Sequence, residues 1–377
     1  MKTNGPVAAD VTWAQVHQFR LARHHLMSPA PIRDLVRVVG DIGGVQAQVM
    51  SAAELQAVVR VKCKVSDVRN ALWKEKTLVK TWLMRATLHV VPAADLPIYT
   101  AAMGSYGMRN TNAWLKWMQI TEPELNDVID AIGAALDGQA LTREEVIARV
   151  GKGRSDRIQA GLKSGWGGLL KPVARKGLLC FGPSRGSSVT FVRPQQWLGS
   201  WREADPETAL AEVVRRYLMA YGPATKNDFA RWWGQWPGVG NTAWAALANE
   251  LVPVTIEGGR ADVLAADVVR LTSMEPERSV RLLPSFDPYL MGHANRDHLV
   301  AAEHLARVSR TAGWISAVVL SDGRVVATWT HEVTKGTLAL TLDPIRKLAP
   351  AMMKEVRSHA DAMAEALGLD RASVAVA

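Results

Sequence analysis

Three successive stretches of this 377-residue chain repeat one pattern, a group of short helices followed by two short strands. In the first stretch, apolar residues at helical spacing predict helices over 13–27, 32–39, 50–61 and 67–75. Ser66 is the predicted cap of the fourth helix, and two alternating strands then follow with Arg85 and Ala86 between them. Helices that lead into such a hairpin have the plan of a winged helix-turn-helix unit.

The same plan returns twice further along the chain. In the second stretch, Thr121 and Thr142 each begin a helix with acidic residues in its first turn, and a longer helix is predicted over 156–176. Two strands then flank a glycine- and serine-rich turn. The third stretch has predicted helices over 207–220, through Phe229 and Trp233, and over 241–251, and ends in a hairpin around Gly258. The stretches share no obvious residue-level identity, so the repeat is one of architecture.

From about residue 275 the chain becomes rich in β-structure. Strands are predicted over 280–284, 314–320, 324–329 and 337–342, with a tight turn at Asp322-Gly323 and a closing helix over 350–367. The predicted fold is α+β: tandem winged helix-turn-helix units, then a C-terminal β-rich region with a final helix. We expect the boundaries to fall at 10–110, 111–203, 204–272 and 273–377.

The charge balance favours a polyanionic partner. The chain has 45 Lys and Arg residues against 36 Asp and Glu, a net charge of +9, which attracts nucleic acid or an anionic membrane. An arginine-rich composition from a GC-rich genome would give the same excess. No apolar run long enough to span a membrane and no apolar N-terminal core for a secretory signal are present. Two cysteines far apart in sequence fit a reducing cytoplasm.

The familiar patterns of metal and nucleophilic catalysis are missing from the sequence. The nine histidines do not fall in the spacings of known zinc motifs, and neither cysteine has the context of a nucleophile, so we expect no metal and no cofactor. The chain has 14 tryptophans, and Trp114, Trp117, Trp232, Trp233 and Trp236 stand near basic residues. Such aromatic residues can stack on nucleic-acid bases, but packing in the core is their more common use.

Two glutamines after a glycine pair form the most informative motif. Gln46 and Gln48 stand two residues apart in the segment that begins at Gly43. On an extended strand, residues two apart point the same way, so both amides could line one cleft. Helix capping and simple solvation are the alternative explanations for such amides.

This motif resembles the Gln-x-Gln signature of the AlkZ-type bacterial DNA glycosylases, a winged-helix family related to the YcaQ-type enzymes. Three further segments resemble the family in the same order: Thr81–Val90, Leu282–Met291 and Gly313–Trp329. Together the similarities span residues 13 to about 365. The YcaQ-type subgroup has Asp at the second motif position, and Gln48 therefore favours the AlkZ-type side.

The resemblance implies excision of bulky N7-alkylated purines, and two glutamines suit that chemistry. An N7-alkylguanine is already cationic and leaves as a neutral base, so no general acid is needed and the remaining task is to place a water. A glutamine amide can accept a hydrogen bond from that water, although it cannot act as a base at neutral pH. Gln46 and Gln48 are therefore the predicted catalytic residues.

The resemblance also implies an approach to the sugar from the minor groove without base flipping, because a bulky adduct does not fit a flipping pocket. A hairpin in the minor groove is a known device of DNA-binding proteins. The predicted DNA contacts are Arg85, His89, His293, Arg296 and Arg324. Ordinary structural or solvated-loop roles are the alternatives for these residues.

The sequence therefore predicts a monofunctional DNA glycosylase that acts on double-stranded DNA carrying alkylated purines, including genotoxin adducts or cross-links. We expect a monomer that works in the cytoplasm at the nucleoid, in base excision repair or in self-resistance to a DNA-alkylating natural product. Two alternatives stay open: a non-enzymatic winged-helix regulator, and a protein that sequesters the genotoxin itself.

Overall fold

The structure, a computed structural model, describes residues 7–106, 111–199 and 201–377. The first part of the chain contains α1 (Trp13–Arg23), α2 (Leu35–Asp41), α3 (Met50–Val58), α4 (Val65–Trp73), β1 (Ala9–Val11), β2 (Ala30–Pro31), β3 (Val45–Gln46), β4 (Val61–Lys62), β5 (Leu78–Trp82) and β6 (Leu88–Pro92). Strands β3, β6 and β5 pair antiparallel in that order. The predicted helices and hairpin are confirmed. The capping role of Ser66 is wrong, because α4 already begins at Val65.

The second part begins with two connecting helices. It contains α5 (Leu96–Gly104), α6 (Thr111–Met118), α7 (Glu122–Ala135), β7 (Leu141–Thr142), α8 (Arg143–Val150), α9 (Asp156–Lys163), α10 (Leu170–Arg175), β8 (Cys180–Arg185), β9 (Ser188–Val192) and α11 (Pro194–Trp197). The hydroxyls of Thr121 and Thr142 cap α7 and α8 as predicted.

The single helix predicted over 156–176 is wrong, because residues 164–169 break it into α9 and α10. Gly167 within the break has φ +81°, which an L side chain rarely adopts. A Cβ on Gly168 would lie 2.6 Å from the carbonyl oxygen of Gly161. Glycine is therefore needed where the two helices meet.

The third part contains α12 (Pro206–Tyr221), α13 (Lys226–Trp233), α14 (Pro237–Ala246), β10 (Leu251–Ile256), β11 (Gly259–Leu264) and α15 (Val268–Thr272). The helix predicted over 241–251 begins earlier, because Pro237 stands at its first position, where proline is favoured. Strand β1 pairs parallel with β10. This pairing joins the start of the described chain to the third part, and a three-residue strand carries too little pattern to predict it.

The C-terminal part is a five-stranded sheet covered by a helix. Its elements are β12 (Val280–Leu283), α16 (Leu305–Val308), β13 (Ala317–Ser321), β14 (Arg324–Thr334), β15 (Thr337–Pro344), α17 (Pro350–Leu367) and β16 (Arg371–Val376). The strands follow the order β12-β13-β14-β15-β16. Helix α17 buries Val356 and Met363 in the same apolar cluster as Leu338 and Leu340 of the sheet. The final strand, β16, was not predicted.

In the first two parts a helix, a short strand and two or three further helices precede the hairpin, and in the third part the short strand is reduced to a bridge between Ala224 and Asp262. This order is the one expected of winged-helix units. The four domain ranges stay predictions, and the end of the first range, residue 110, lies outside the described residues. Along the described chain, no helix combines the length and the apolar composition needed to cross a lipid bilayer.

Candidate active site

The glycine pair before the two glutamines sets the path of the chain. Gly43 and Gly44 have φ values of 72° and 88°, a region that glycine adopts without strain. A Cβ on Gly44 would also lie 2.7 Å from a methyl carbon of Val91. The pair therefore turns the chain out of α2 and lets β3 pair closely with β6.

The two glutamines have different environments. The Gln46 side chain is buried, with 6% of its surface exposed, and its Oε1 has no hydrogen-bond partner among the described residues. Gln48 is exposed in the bend between β3 and α3. Strand β3 ends at Gln46, so the two glutamines do not share one strand.

Gln56 of α3 holds the Gln46 backbone in place. Its Oε1 accepts from the Gln46 N–H at 3.1 Å, and its Nε2 donates to the Gln46 carbonyl at 3.3 Å. The same Nε2 lies 3.0 Å from the carbonyl oxygen of Ser285. One fully buried amide thus joins the Gln46 strand to the C-terminal part.

The Gln56 contacts lead to a prediction about catalysis. Replacing Gln56 with Leu leaves the Gln46 backbone groups unpaired, and we expect the single-turnover rate of base release to fall about tenfold, or about 1.4 kcal/mol. Duplex affinity should stay within twofold. Gln56→Glu keeps the acceptor oxygen but loses both N–H donors, so its rate should lie between that of the unmodified enzyme and that of Gln56→Leu. If Gln56→Leu and Gln56→Glu release base at the same rate, and that rate falls only as far as the melting temperature does, Gln56 has no positioning role.

A buried ion pair fixes α3 from the other side. Arg60 and Asp287 are both fully buried and form two hydrogen bonds, of 2.6 and 2.8 Å. Arg60 also donates to the carbonyl of Gln56 at 2.8 Å. The Leu282–Met291 segment, singled out by its resemblance to the family, therefore braces the helix that positions Gln46.

Arg85 connects the tip of the first hairpin to the third part of the chain. Arg85 and Ala86 have φ values of 57° and 54°, as expected for a tight hairpin turn. The Arg85 guanidinium donates to the Trp232 carbonyl at 2.5 Å. Gly234 ends α13 in the left-handed conformation, and a Cβ there would lie 2.5 Å from the Cα of Arg85. A glycine is required for this approach.

His89 lies beside Arg85 and opposite Gln46 in the sheet. Its Nδ1 is 3.0 Å from the Thr87 carbonyl, so Nδ1 carries the proton, and Nε2, 3.3 Å from Arg85 Nη2, accepts. Burial, reinforced by the charge of Arg85, lowers the pKa of His89 to about 3. His89 is therefore a neutral acceptor at physiological pH and cannot serve as a general acid there.

These groups surround one narrow cleft. The side chains and glycines that line it are Gly43, Gly44, Gln46, Met84, Arg85, His89, Tyr221, Trp232, Phe286, Pro288 and Met291. Three of the predicted site residues, Gln46, Arg85 and His89, are thus brought together, and no aspartate or glutamate belongs to this lining set. Burial lowers the pKa of Arg85 to about 10, so the cleft keeps a cation at neutral pH.

The other predicted DNA contacts lie elsewhere. His293 is buried, with Nε2 3.0 Å from the Tyr221 carbonyl. Arg296 donates to the carbonyl of Leu290 at 2.7 Å and to Ser309 Oγ at 3.2 Å. Arg324 is exposed at the start of β14, directly after the predicted Asp322-Gly323 turn. The environments of His293 and Arg296 favour the structural alternative, and a contact between the exposed Arg324 and DNA stays a prediction.

Tryptophans divide between core and surface. Trp232 and Trp233 are buried among Tyr217, Phe229 and other aromatic residues, which confirms that core packing is their main use. Trp117 is 76% exposed and Trp166 is 78% exposed. In the part of the chain that the structure describes, no group of three or more His, Cys, Asp or Glu side chains could hold a metal ion.

Several buried histidines are held in the neutral form. Burial is the first cause in every case; it lowers the pKa of His17 to about 3 and that of His298 to about 2, and Arg20 adds to both shifts. The pKa values of His24 and His293 also lie well below the usual 6.5. These groups bind protons in the unfolded chain at a pH where the folded chain does not.

The histidines therefore predict an acid-sensitive fold. The contribution of these histidines to the free energy of unfolding should be constant above pH 7 and should fall as the pH drops from 6.5 toward 3, because the unfolded chain takes up protons in that range. Each such histidine can contribute a slope of about 1.4 kcal/mol per pH unit. Urea unfolding at pH 7.5, 6.0 and 5.0 measures this change in the free energy of unfolding. A stability that is unchanged or higher at pH 5.0 would contradict these shifts.

The sequence analysis missed Gln56, Arg60, Tyr221 and Gly234, and it singled out Trp232 only as one of several tryptophans near basic residues. Tyr221 donates to the carbonyl of Ile42 at 2.9 Å and so joins α12 to the loop before β3. These residues come from distant parts of the chain, and no local pattern marks them. Their neighbour Asp287 did carry a signal, because it belongs to a segment already singled out, but its buried partner Arg60, just after α3, could not be identified from spacing.

Comparisons with known proteins identify the family of this chain. A family model described as DNA glycosylase AlkZ-like matches residues 39–366. The chain is 36% identical over 376 residues to the interstrand DNA cross-link repair glycosylase of Streptomyces sahachiroi, covering 97% of this chain and 99% of that protein. It is also similar to the solved structure of the Streptomyces sahachiroi DNA glycosylase AlkZ, with a TM-score of 0.88 and 34% identity over 98% of this chain and all of that one. The chain therefore belongs to the AlkZ-like family of DNA glycosylases, enzymes that hydrolyse N-glycosyl bonds.

Proposed function

We propose that this enzyme excises N7-alkylated purines from duplex DNA, including bulky genotoxin adducts and interstrand cross-links. The observation that carries the proposal is a cleft with a buried glutamine amide and no carboxylate in its lining. A neutral purine leaves only with help from an acid. An N7-alkylated purine is already cationic and leaves as a neutral base, so a cleft of this composition suits it.

Gln46 and Gln48 are the proposed catalytic residues. The buried Oε1 of Gln46 has no partner among the described residues, and it can accept a hydrogen bond from a water aimed at the sugar. The exposed amide of Gln48 would reach the sugar or phosphate from the mouth of the cleft. Holding water and sugar together supplies rate acceleration without proton transfer from the protein.

Duplex binding is assigned to the positive charge of the chain. Arg85 uses two of its N–H groups within the protein, on Trp232 and His89, and the others can bind a phosphate beside the cleft. Arg324 at the exposed turn would contact the backbone or enter the minor groove. We assign His89 an indirect role, as the acceptor that orients Arg85, and His293 and Arg296 support the adjoining loop.

Cross-link repair extends the same chemistry. The similar protein from Streptomyces sahachiroi is named for interstrand cross-link repair, and a cleft that acts at the sugar does not need to enclose the whole adduct. We propose that the present enzyme acts on such lesions as a monomer in the cytoplasm, with a role in self-resistance to a DNA-alkylating natural product.

A direct assay tests the proposed function. The enzyme is incubated with duplexes that carry one N7-methylguanine, one bulky N7 adduct or one N7–N7 interstrand cross-link, and abasic sites are cleaved and counted. We expect base release from the three modified duplexes and none from the unmodified duplex. Sequence-selective binding without base release would indicate a regulator, and tight binding of the free alkylating agent without release would indicate a sequestering protein.

A further inference from the structure

Two tryptophans in the second part of the chain are left largely uncovered. Trp166 is 78% exposed and Trp117 is 76% exposed, and among the large apolar side chains of the described residues only Val269 is as exposed. Single apolar residues on a surface need no explanation, whereas several on one face often mark a binding site. The position of the two rings relative to each other therefore decides whether they form a site.

Contacts between α6 and the junction of α9 with α10 bring the two tryptophans to one side of the molecule. Met118, directly after Trp117, packs its methyl carbon against α9. Trp114 and Gly168 line one cavity of about 250 Å³. Trp117 follows Trp114 by one helical turn, about 5 Å. Trp166 precedes Gly168 by two residues, which span at most about 7 Å, so both rings lie near this cavity.

The same cavity lies beside the catalytic cleft. Arg85 lines the cavity and also the cleft that contains Gln46. A Cβ on Gly167 would lie 2.7 Å from the ring of Trp82, so the glycine turn that carries Trp166 packs directly against the first hairpin. A duplex with its lesion in the cleft would meet both tryptophans where it extends past Arg85.

The charge around the two tryptophans is positive. Lys116 stands next to Trp117, and Lys163 ends α9 three residues before Trp166. Both lysines are exposed, and neither forms an ion pair with another described residue. Residues 157–202 include eight Lys and Arg residues and no acidic residue. Exposed aromatic rings beside unpaired cations suit a nucleic acid, which offers both phosphates and apolar surfaces. We call these four side chains the tryptophan surface.

The place of α9 in the fold favours duplex DNA as the partner. Helices α8 and α9 follow each other along the chain as in a helix-turn-helix, in which the second helix faces the DNA. Lys163 and Trp166 lie at the C-terminal end of this second helix. The family already acts on DNA, so one duplex can contact the cleft and the tryptophan surface together.

We propose that the tryptophan surface is a second DNA-binding site, which holds the duplex beside the lesion. The rings of Trp117 and Trp166 pack against sugars and base edges in the minor groove, where DNA-binding proteins often insert apolar side chains. Lys116 and Lys163 bind phosphates of the same flank. The inference requires only that the enzyme binds duplex DNA, and it does not depend on which base is excised.

Photocross-linking tests the position of the tryptophan surface on DNA. p-Benzoylphenylalanine is incorporated in place of Trp166, and the protein is irradiated with a duplex that carries one N7-methylguanine on a 2′-fluoro sugar, which resists base release. We expect cross-links on one flank of the lesion, within about one turn of the duplex. The same group in place of Val269, an equally exposed residue on α15, is the matched control and should give no cross-link above background.

The cross-linking pattern separates this inference from the proposed function. No cross-link from position 166, or no more than from position 269, would overturn the second binding site. Cross-links from position 166 that are spread evenly along the duplex would support the tryptophan surface and count against the proposed recognition of N7-methylguanine.

Equilibrium binding measures what the two rings contribute. Trp117→Ala combined with Trp166→Ala should weaken binding of an unmodified duplex about tenfold, as measured by fluorescence anisotropy. Val269→Ala should leave the affinity unchanged. All three side chains are exposed, so the melting temperatures of the variants should match that of the unmodified enzyme. An unchanged duplex affinity in the double tryptophan variant would overturn the proposal, and so would weaker binding only to phosphatidylglycerol vesicles, which would indicate a lipid surface.

Salt dependence measures what the two lysines contribute. Each phosphate contact adds about 0.9 to the slope of log affinity against log salt concentration. Lys116→Met combined with Lys163→Met should therefore reduce that slope by about 1.8. Lys354→Met, a change to an exposed lysine on α17, is the matched control and should leave the slope unchanged. An equal slope for the double lysine variant and this control would show that the two lysines do not bind phosphates and would overturn their assignment.

Discussion

Replacing Gln46 and Gln48 together with alanine should lower single-turnover base release from an N7-methylguanine duplex by about 100- to 1000-fold. That is the range expected when preorganised polar groups are removed from a transition state. The substitutions remove the buried Oε1 of Gln46, the proposed acceptor for the water, and the exposed amide of Gln48, the proposed contact to the sugar or phosphate. Gln46→Ala alone should slow release more than Gln48→Ala alone, because Gln46 lines the cleft and Gln48 does not.

The control for this experiment is Gln139→Ala, a change to an exposed amide between α7 and β7. Its rate should equal that of the unmodified enzyme. Duplex affinity should stay within about threefold for every variant, because backbone charge supplies most of it. A double variant that releases base at the normal rate would remove both glutamines from the mechanism, and a loss confined to affinity would make them DNA contacts only.

The largest effect on stability should come from Asp287→Asn. It leaves the fully buried guanidinium of Arg60 without its carboxylate, and breaking a buried pair from one side costs about 3–5 kcal/mol. Replacing both residues, with Arg60→Met and Asp287→Leu, removes the uncompensated charge and should recover most of that loss. Urea unfolding at pH 7.5 measures all three proteins.

The matched control is Arg37→Ala, which breaks an ion pair with Asp41 in which both side chains are partly exposed. Its cost should be below about 1 kcal/mol. If Asp287→Asn proves no more damaging than Arg37→Ala, the Arg60–Asp287 pair is not what holds α3. The double replacement should still slow base release, because Arg60 donates to the Gln56 carbonyl.

Local patterns predicted the elements well where one residue type dominates the outcome. The Thr121 and Thr142 caps, the Asp322-Gly323 turn and the helix over 350–367 are all present. The predictions from local patterns failed where contacts with distant residues determine the structure. The helix over 156–176 breaks because glycines allow α9 and α10 to meet, and β1 and β16 exist only through their pairing with β10 and β15.

Only part of the candidate site could be predicted, because some of its contacts join residues that are distant in sequence. Gln46 stood out because it follows a glycine pair, and Arg85 and His89 because they lie on the hairpin within the family-like segment Thr81–Val90. Nothing local indicates that Gln56 pairs with the Gln46 backbone, since both partners are ordinary amides ten residues apart. The bond from Arg85 to Trp232 spans 147 residues, and only the folded chain brings the two together.

The central claim is that the enzyme removes a base that is already cationic and supplies no acid of its own. Single-turnover release from otherwise identical duplexes, one with N7-methylguanine and one with hypoxanthine, tests it between pH 6 and 8.5. We predict release of N7-methylguanine at a rate that does not change across this range, and no release of hypoxanthine, which needs protonation to leave. Release of hypoxanthine at a comparable rate, increasing as the pH falls, would show that a general acid acts in the site and would contradict the account.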